Sequence, residues 1–281
     1  MSIFITGSSG FIGYHVALSF LREGFEVVGV DHMMSPDEDL KDMRLSHLGT
    51  FPGFRFLKCD LTDHVLLKKS LSLRKIDTVF HFAGQGRGEG EPHVFSYLYH
   101  NVTGALNFLE ILKDFAVRHI ILPQMGLEKD GSLYEASLLA REAFLETYRQ
   151  NATFKIFTLD VENVFGPYSH KRCDIFDFID KISSGEVIYL KKHGKHMRRY
   201  VHIDEITTKI LDFIKDPKEF GPCEGYVATQ IGLIQILEEL LKKEAHIVWG
   251  SQDKISNEPL SNIQFNTKDF KEKLGSIIGS F

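Results

Sequence analysis

Three glycines, each three residues after the last, follow the first apolar run of the chain. Glycines at this spacing permit a tight turn, a close approach of the backbone to a pyrophosphate, and close packing of a helix on a sheet. Backbone N–H groups at the start of the next helix can then bind the phosphates. The residues predicted to hold a dinucleotide in this turn are Gly7, Ser9, Gly10, Phe11, Ile12 and Gly13.

An acidic residue closes the second apolar run. Asp31 ends the stretch that begins at Glu26. A carboxylate at this point can accept hydrogen bonds from both adenosine ribose hydroxyls, and its charge repels the 2′-phosphate of NADP. The pattern therefore predicts NAD rather than NADP as the cofactor. The alternative is a glycine-rich turn beside a helix-capping aspartate, with no dinucleotide bound.

The elements that must position these residues alternate along the first two thirds of the chain. Short β-branched and aromatic runs are separated by longer segments of helical spacing, which is typical of repeated βαβ units. We predict an α/β fold with one doubly wound parallel sheet. The predicted strands are Ser2–Thr6, Glu26–Asp31, Phe54–Asp60, Asp77–Ala83, Arg118–Leu122 and Lys155–Val161, and the predicted helices are Phe11–Glu23, Glu38–Leu48, Thr62–Leu73, Pro92–Phe115 and Ser132–Gln150.

The alternation changes after Gly166 and Pro167. We therefore predict two domains, a dinucleotide-binding domain over residues 1–165 and a smaller lobe over 166–281 that is partly interleaved with the first. In the second lobe the pattern predicts helices at Asp174–Ser184, Asp204–Lys215 and Leu233–Lys243, and strands near Tyr200, at Tyr226–Thr229 and at His246–Trp249.

The composition excludes several classes of partner. Of the 281 residues 43% are hydrophobic and 25% charged, as in a globular protein, and the net charge of −5 disfavours nucleic acid and anionic membranes. Cys59, Cys173 and Cys223 are too few and too widely spaced for a disulfide framework or a zinc site, so no metal is expected. The N-terminal apolar run is too short for a signal peptide, and no uncharged apolar stretch of about 18 residues occurs. We therefore expect a cytoplasmic protein.

Further motifs extend the pattern across most of the chain. They are Cys59–Asp63, His81–Gly84, Asn101–Gly104, Asn163–Pro167 and Arg198–Ile206. With the glycine turn and Asp31, they resemble the extended short-chain dehydrogenase/reductase family, specifically its nucleotide-sugar epimerases and dehydratases such as the UDP-glucuronate and UDP-glucose 4-epimerases. The resemblance implies a Rossmann domain whose NAD also contacts Asp60, Leu61, Phe82, Ala83 and Gly84.

The same resemblance implies a substrate and an assembly. The smaller C-terminal lobe would bind a nucleotide diphosphate sugar, with Asn163 donating to the diphosphate and Arg198 contacting it. Two copies would form a homodimer through the segments Pro92–Phe115 and Ser132–Gln150.

The catalytic part of the family pattern is incomplete. Family members carry a Tyr with a Lys four residues later on the same helix face, where the Tyr takes a proton from the sugar hydroxyl and the Lys lowers its pKa. Here Tyr134 is present, but Leu138 stands at the lysine position and Met125 stands where the family has Ser or Thr. Arg141 or Lys129 is a candidate for the missing cation.

Alternative functions therefore stay open. The leading hypothesis is an NAD-dependent nucleotide-sugar epimerase or dehydratase that works through a transient 4-keto intermediate, with Tyr134 as acid and base. The second is a catalytically impaired NAD-binding regulatory or scaffold protein, in which Tyr134 only packs on the buried face of its helix above Leu138. The third is a dehydrogenase or reductase of a related nucleotide sugar that uses Gln124 and Lys129.

Overall fold

The computed structural model of the chain describes residues 2–34, 38–72, 75–87, 93–124, 131–169, 173–190, 194–195, 197–250 and 267–278. Met125 and Lys129 lie outside these ranges. The chain forms two compact units. The first consists of Met1–Val161 and Thr207–Pro222, and the second of Glu162–Ile206 and Cys223–Phe281.

The first unit is built on a parallel sheet. Its strands are β1 (Ser2–Thr6), β2 (Glu26–Asp31), β3 (Phe54–Lys58), β4 (Ile76–His81), β5 (His119–Gln124) and β6 (Lys155–Asp160). They are ordered β3-β2-β1-β4-β5-β6, and every neighbouring pair is parallel. This order confirms the predicted doubly wound sheet. The strand order reverses between β1 and β4, and ligands bind beyond the carboxyl ends of the strands at such a point.

Helices pack on both faces of this sheet, which explains why the middle of its central strand is apolar. Ile3, Phe4 and Ile5 of β1 are fully buried. The prediction of where most helices begin was correct within two residues. They are α1 (Phe11–Arg22), α2 (Glu38–Gly49), α3 (His64–Ser72) and α6 (Leu133–Asn151), the last capped by the Ser132 hydroxyl, which accepts from the Glu135 N–H at 3.2 Å.

The prediction of one helix over Pro92–Phe115 was wrong. In the described residues this segment contains α4 (Val94–Tyr97), a π-helical turn (Leu98–Thr103) and α5 (Gly104–Leu112). The Asn101 side chain in the π turn accepts from the Gln85 N–H at 2.7 Å and donates to the Ser137 hydroxyl at 3.0 Å. These long-range bonds hold the wider turn in place, and the local apolar pattern gives no sign of them.

The second unit consists of short strands and helices whose apolar side chains form one core. This core includes Phe165, Phe176, Tyr200 and Phe270. Its strands β7 (Val164–Phe165) and β8 (Val187–Leu190) were not predicted, because each is short and pairs only with a distant partner. Strands β9, β10 and β11 span Met197–His202, Tyr226–Thr229 and His246–Trp249, and helices α7, α8, α9 and α10 span Asp174–Ser184, Ile203–Lys215, Gln230–Leu241 and Thr267–Ile278.

Helix α8 begins in the second unit, and from Thr207 onward its residues belong to the first. Within the first unit Phe213 of α8 packs edge-on against Phe157 of β6, with ring centroids 4.8 Å apart. In the part of the chain that the structure describes, every helix is too short or too polar to span a bilayer.

Candidate cofactor and active site

The glycine turn is compressed against the end of β4. Gly7 has a φ of 70°, and a Cβ placed on it would lie 2.7 Å from the backbone of Phe82 and Ala83. A Cβ on Gly13 would collide with the Gly7 carbonyl oxygen. The Gly7 N–H donates to the Val30 carbonyl at 2.7 Å, which fixes the turn beside β2. Only glycine fits at both positions.

The first turn of α1 leaves polar groups open. Gly10 is the N-cap and offers no side-chain acceptor to the helix N–H groups, and the turn contains no acidic residue. The Ser8 and Ser9 hydroxyls are buried and meet no hydrogen-bond partner among the described residues. Unfilled donors at a helix N-terminus are suited to the pyrophosphate of a dinucleotide.

A cleft of about 300 Å³ opens at the carboxyl ends of β1, β2 and β4. Ser9, Phe11, Ile12, Gly13 and Asp60 are not part of its lining, although they adjoin it in the sequence. The predicted cofactor residues that do line it are Gly7, Gly10, Asp31, Leu61, Phe82, Ala83 and Gly84.

Asp31 is held in one orientation at the floor of this cleft. Its Oδ1 accepts from the Lys41 ammonium at 2.9 Å and the Met33 N–H at 2.8 Å, and its Oδ2 accepts from the Ser9 N–H at 3.3 Å. Burial acts to raise the pKa of the carboxyl, but Lys41 and these hydrogen bonds outweigh it and hold that pKa below its usual value. Asp31 is therefore an ionised, pre-positioned acceptor.

The cleft also contains groups that the sequence patterns did not single out. His32 and Lys41 flank Asp31, and His100 of the π turn packs edge-on against the His32 ring with centroids 5.4 Å apart. Burial and then the Lys41 charge lower the pKa of His32, so its ring is neutral near pH 7. The one sequence signal that could have predicted His32 as a residue of the cleft is its position directly after Asp31.

Asp60 has a local structural role. Its Oδ1 accepts from the Thr62 N–H at 2.8 Å and the Thr62 hydroxyl at 2.7 Å. This bonding fixes the turn between β3 and α3 and places Leu61 in the wall of the cleft. A contact between Asp60 and the adenine remains a prediction.

Tyr134 lies near the start of α6 and is largely covered. Tyr134 and Leu138 are each 8% exposed and form a small apolar cluster with Tyr97. The Tyr97 and Tyr134 rings have centroids 5.8 Å apart, and the Arg87 guanidinium lies 5.5 Å from the Tyr134 centroid. The side chain at position 138 is thus part of an apolar contact and supplies no charge.

The two predicted substrate residues lie in the second unit, where each has a protein partner. The Asn163 amide donates to the Arg199 carbonyl at 3.0 Å, with the Asn163 backbone at a φ of 41°. The Arg198 guanidinium pairs with the Asp174 carboxylate at 2.9 Å. Their roles toward a substrate stay predictions.

The family model described as the NAD dependent epimerase/dehydratase family matches residues 3–228. The chain belongs to this family. The family requires NAD, and the glycine turn that a Cβ would block, the open helix donors and the ionised Asp31 all fit that cofactor.

Named members of the NAD dependent epimerase/dehydratase family are similar over most of the chain. UDP-glucuronate 4-epimerase of Thermodesulfobacterium geofontis is 29% identical over 268 residues, which cover 86% of this chain and 81% of that protein. A probable UDP-glucuronate 4-epimerase of Rhizobium meliloti is 28% identical over 234 residues, covering 75% and 67%.

Solved structures share the family fold. The crystal structure of UDP-glucuronic acid 4-epimerase from Bacillus cereus, in complex with UDP-glucuronic acid and NAD, has a TM-score of 0.82 and 22% identity, and the match covers 100% of both chains. At this identity the likeness establishes the fold.

Proposed function

We propose that this protein is an NAD-dependent nucleotide-sugar 4-epimerase, with UDP-glucuronate as the first substrate to test. The observation that carries the proposal is the cofactor cleft, in which the glycine turn and the fixed Asp31 carboxylate are built for NAD. The substrate class rests on the relatives of the chain, which include a UDP-glucuronate 4-epimerase at 29% identity.

The reaction is an inversion at C4 of the sugar with no net oxidation. When bound, NAD would supply the hydride acceptor and donor that oxidation of C4 to a ketone and its reduction from the other face require. Tyr134 removes the proton of the C4 hydroxyl and later returns it. An ordinary tyrosine has a pKa near ~10, so about one molecule in a thousand is phenolate at neutral pH. A positive charge near Tyr134 is therefore needed for efficient proton transfer.

The diphosphate of the substrate is assigned to Asn163 and Arg198. Arg198 already holds a carboxylate, so its guanidinium is oriented for an oxyanion, and a phosphate would take the place of Asp174. We expect Arg198→Met to raise KM with a smaller effect on kcat.

A homodimer in the cytoplasm completes the proposal. On α4 and α6 of the first unit, Phe95 is 69% exposed, Leu139 51% and Phe144 52%. Large exposed apolar side chains on α4 and α6, two helices in contact, are the kind of surface that a second copy would cover. Cys59, Cys173 and Cys223 are free thiols, which supports a reducing compartment.

The test is to incubate the purified protein with NAD and UDP-glucuronate and to follow the sugar by proton NMR. The C4 epimer should form in the wild type and should be strongly reduced in Tyr134→Phe. Other UDP- and dTDP-sugars serve as further substrates. If the protein binds NAD but converts none of them, the regulatory or scaffold alternative replaces the enzyme.

A further inference from the structure

Arg141 is a buried cation for which the described residues provide no ion pair within 4 Å. Its side chain lies on the sheet-facing side of α6, and the residue is 6% exposed. One guanidinium nitrogen donates to the Pro123 carbonyl at the end of β5 at 2.8 Å, and no acceptor among the described residues reaches its Nε. Burial lowers the pKa of Arg141, yet a guanidinium stays charged in proteins. Buried charges are normally paired, so a buried guanidinium whose described hydrogen bond goes to a neutral carbonyl calls for an explanation.

Two carboxylates of α6 each form a hydrogen bond with a group other than Arg141. Glu142 pairs with Arg149 at 2.6 Å. Glu135 accepts from the Gly131 N–H at 3.0 Å. The Glu142 charge still attracts Arg141 and acts to raise its pKa, but the hydrogen bond of Glu142 goes to Arg149, and the Arg141 charge also acts on Tyr134.

Arg141 shares a helix face with Tyr134. Arg141 follows Tyr134 by seven residues, which is almost two helical turns, so the two lie on the same side of α6. Because helical side chains lean toward the N-terminus, the Arg141 side chain extends back toward Tyr134. The two groups interact electrostatically, and the Arg141 charge also reaches His81 at the end of β4. The guanidinium thus lies at the carboxyl ends of β4 and β5, the edge of the sheet where the cofactor cleft begins.

We propose that Arg141 supplies the positive charge that stabilises the Tyr134 phenolate, in place of the lysine that Leu138 excludes. Arg141 acts as a positioning and electrostatic residue, because its contact is with the protein and its effect is on Tyr134. The proposal rests on the proposed role of Tyr134 in the epimerase reaction.

A second cation faces the same tyrosine. Arg87 lies 5.5 Å from the Tyr134 ring centroid, but Arg87 is exposed, so water and salt screen its charge. The other titratable groups on the described elements around Tyr134 include Tyr97 of α4, Tyr99 and His100 of the π turn, and Glu135 and Glu142 of α6. Of these two cations, Arg141 is the more buried and has the less screened charge, and it is therefore assigned the larger effect.

The direct test measures the ionisation of Tyr134 without any substrate. Protein labelled with ¹³C at the tyrosine ζ carbon is titrated by NMR, and Tyr134→Phe assigns the signal. We expect Arg141→Met to raise the midpoint of Tyr134 by about one pH unit or more, and Arg87→Met to raise it by less than half as much. Arg141→Lys, which keeps the charge, should stay near the wild type. An unchanged midpoint in Arg141→Met, or a larger shift in Arg87→Met, would overturn the proposal.

Two further variants keep the result decisive. If Arg141→Met does not fold, Arg141→Gln is titrated against Arg141→Lys, and equal midpoints would reject the proposal. Leu138→Lys in the Arg141→Met background should return the midpoint toward the wild-type value, since it restores a cation one turn from Tyr134.

Kinetics separate this inference from the proposed function. Arg141→Met should lower kcat for C4 epimerisation at pH 7 by about tenfold, in line with the midpoint shift, and move the ascending limb of the pH profile to higher pH, because the phenolate is the form that accepts the proton. NAD affinity measured by calorimetry should change by less than about twofold. A variant whose structure was generally disturbed would lose NAD affinity as well as kcat. If the wild type turns over no sugar, the proposed function fails, while the tyrosine titration still decides the role of Arg141.

Discussion

At the scale of single residues, the glycine turn is the most constrained part of the cofactor site. Gly7 and Gly24 both have positive φ, but a Cβ on Gly24 meets nothing within 4 Å, whereas one on Gly7 meets the backbone after β4. We expect Gly24→Ala to cost about 1–2 kcal/mol in the free energy of unfolding, from backbone strain alone. Gly7→Ala should cost about 1–3 kcal/mol more, because atoms overlap as well.

Urea denaturation of both variants measures this difference, and calorimetry measures NAD binding. Gly24→Ala should bind NAD like the wild type, and Gly7→Ala should bind it weakly. Equal stabilities for the two variants would mean that the turn is not compressed as described.

Asp31 should determine both cofactor affinity and cofactor choice. A hydrogen bond to a charged group contributes about 1.5–3 kcal/mol, so Asp31→Asn should weaken NAD binding by about tenfold or more. The ratio of NADP to NAD affinity should rise, since Lys41 would lose its partner and face a 2′-phosphate. Calorimetry with both dinucleotides measures this, with Asp42→Asn, an exposed carboxylate of α2, as the control. An unchanged affinity ratio would exclude Asp31 from the ribose site.

His81 makes stability depend on pH. Burial, and then the Arg141 charge, lower the pKa of His81 from 6.5 to about 3, and its Nδ1 lies 2.7 Å from the Thr6 hydroxyl. In the unfolded chain His81 takes up a proton below pH 6.5, whereas in the folded chain it does so only near pH 3. The contribution of neutral His81 to the free energy of unfolding is therefore fully present above pH 6.5 and is lost as the pH falls toward 3.

Between pH 7.5 and 5.0 the wild type should lose about 2 kcal/mol that His81→Asn does not lose. Urea denaturation at the two pH values measures this. His32 and His119, whose pKa values are also lowered, contribute equally to both proteins and cancel in the difference. Parallel losses in the two proteins would show that His81 is not the group responsible.

Residues whose role depends on neighbours in the chain could be predicted from the sequence. The glycine turn and Asp31 follow directly from strands β1 and β2, so their spacing alone locates them. Arg141 could be named as a candidate cation from its position one turn beyond Leu138, whereas Lys41 and His100 reach the cleft from α2 and the π turn and matter only because of what they contact. No spacing in the sequence records those contacts.

At the scale of elements, α6 combines a buried and an exposed apolar surface. Tyr134, Leu138 and Leu145 face inward, while Leu139 and Phe144 are about half exposed. The predicted homodimer would cover the second set. The sequence predicted the extent of this helix well, because its N-cap and its periodicity are both local signals.

Phe144→Glu should convert the protein from a dimer to a monomer, since a charge buried in an apolar interface carries a large desolvation cost. Light scattering after size-exclusion chromatography measures the mass. Val65→Glu is the control, because Val65 is 81% exposed on α3 and lies outside the proposed interface. A wild type that runs as a monomer at all concentrations would exclude the interface.

At the scale of the whole molecule, the strand order of the parallel sheet could be predicted from the sequence. Which residues belong to each of the two compact units was harder to predict. Alternating strands and helices leave few topologies for a parallel sheet, and β3-β2-β1-β4-β5-β6 is the commonest of them. The return of residues Thr207–Pro222 to the first unit depends on contacts such as Phe213 against Phe157. Aromatic packing between segments that are far apart in the sequence produces no periodic pattern from which it could be predicted.

The central claim is that the cleft over the glycine turn binds NAD. The most direct measurement is isothermal titration calorimetry of the protein, stripped of bound nucleotide by mild unfolding and refolding, with NAD as the ligand. We predict saturable binding of one NAD per chain, weakened by Asp31→Asn and unaffected by Asp42→Asn. A stripped, folded protein that gives no binding heat at any temperature tested, and shows no NAD-dependent rise in Tm, would contradict the account.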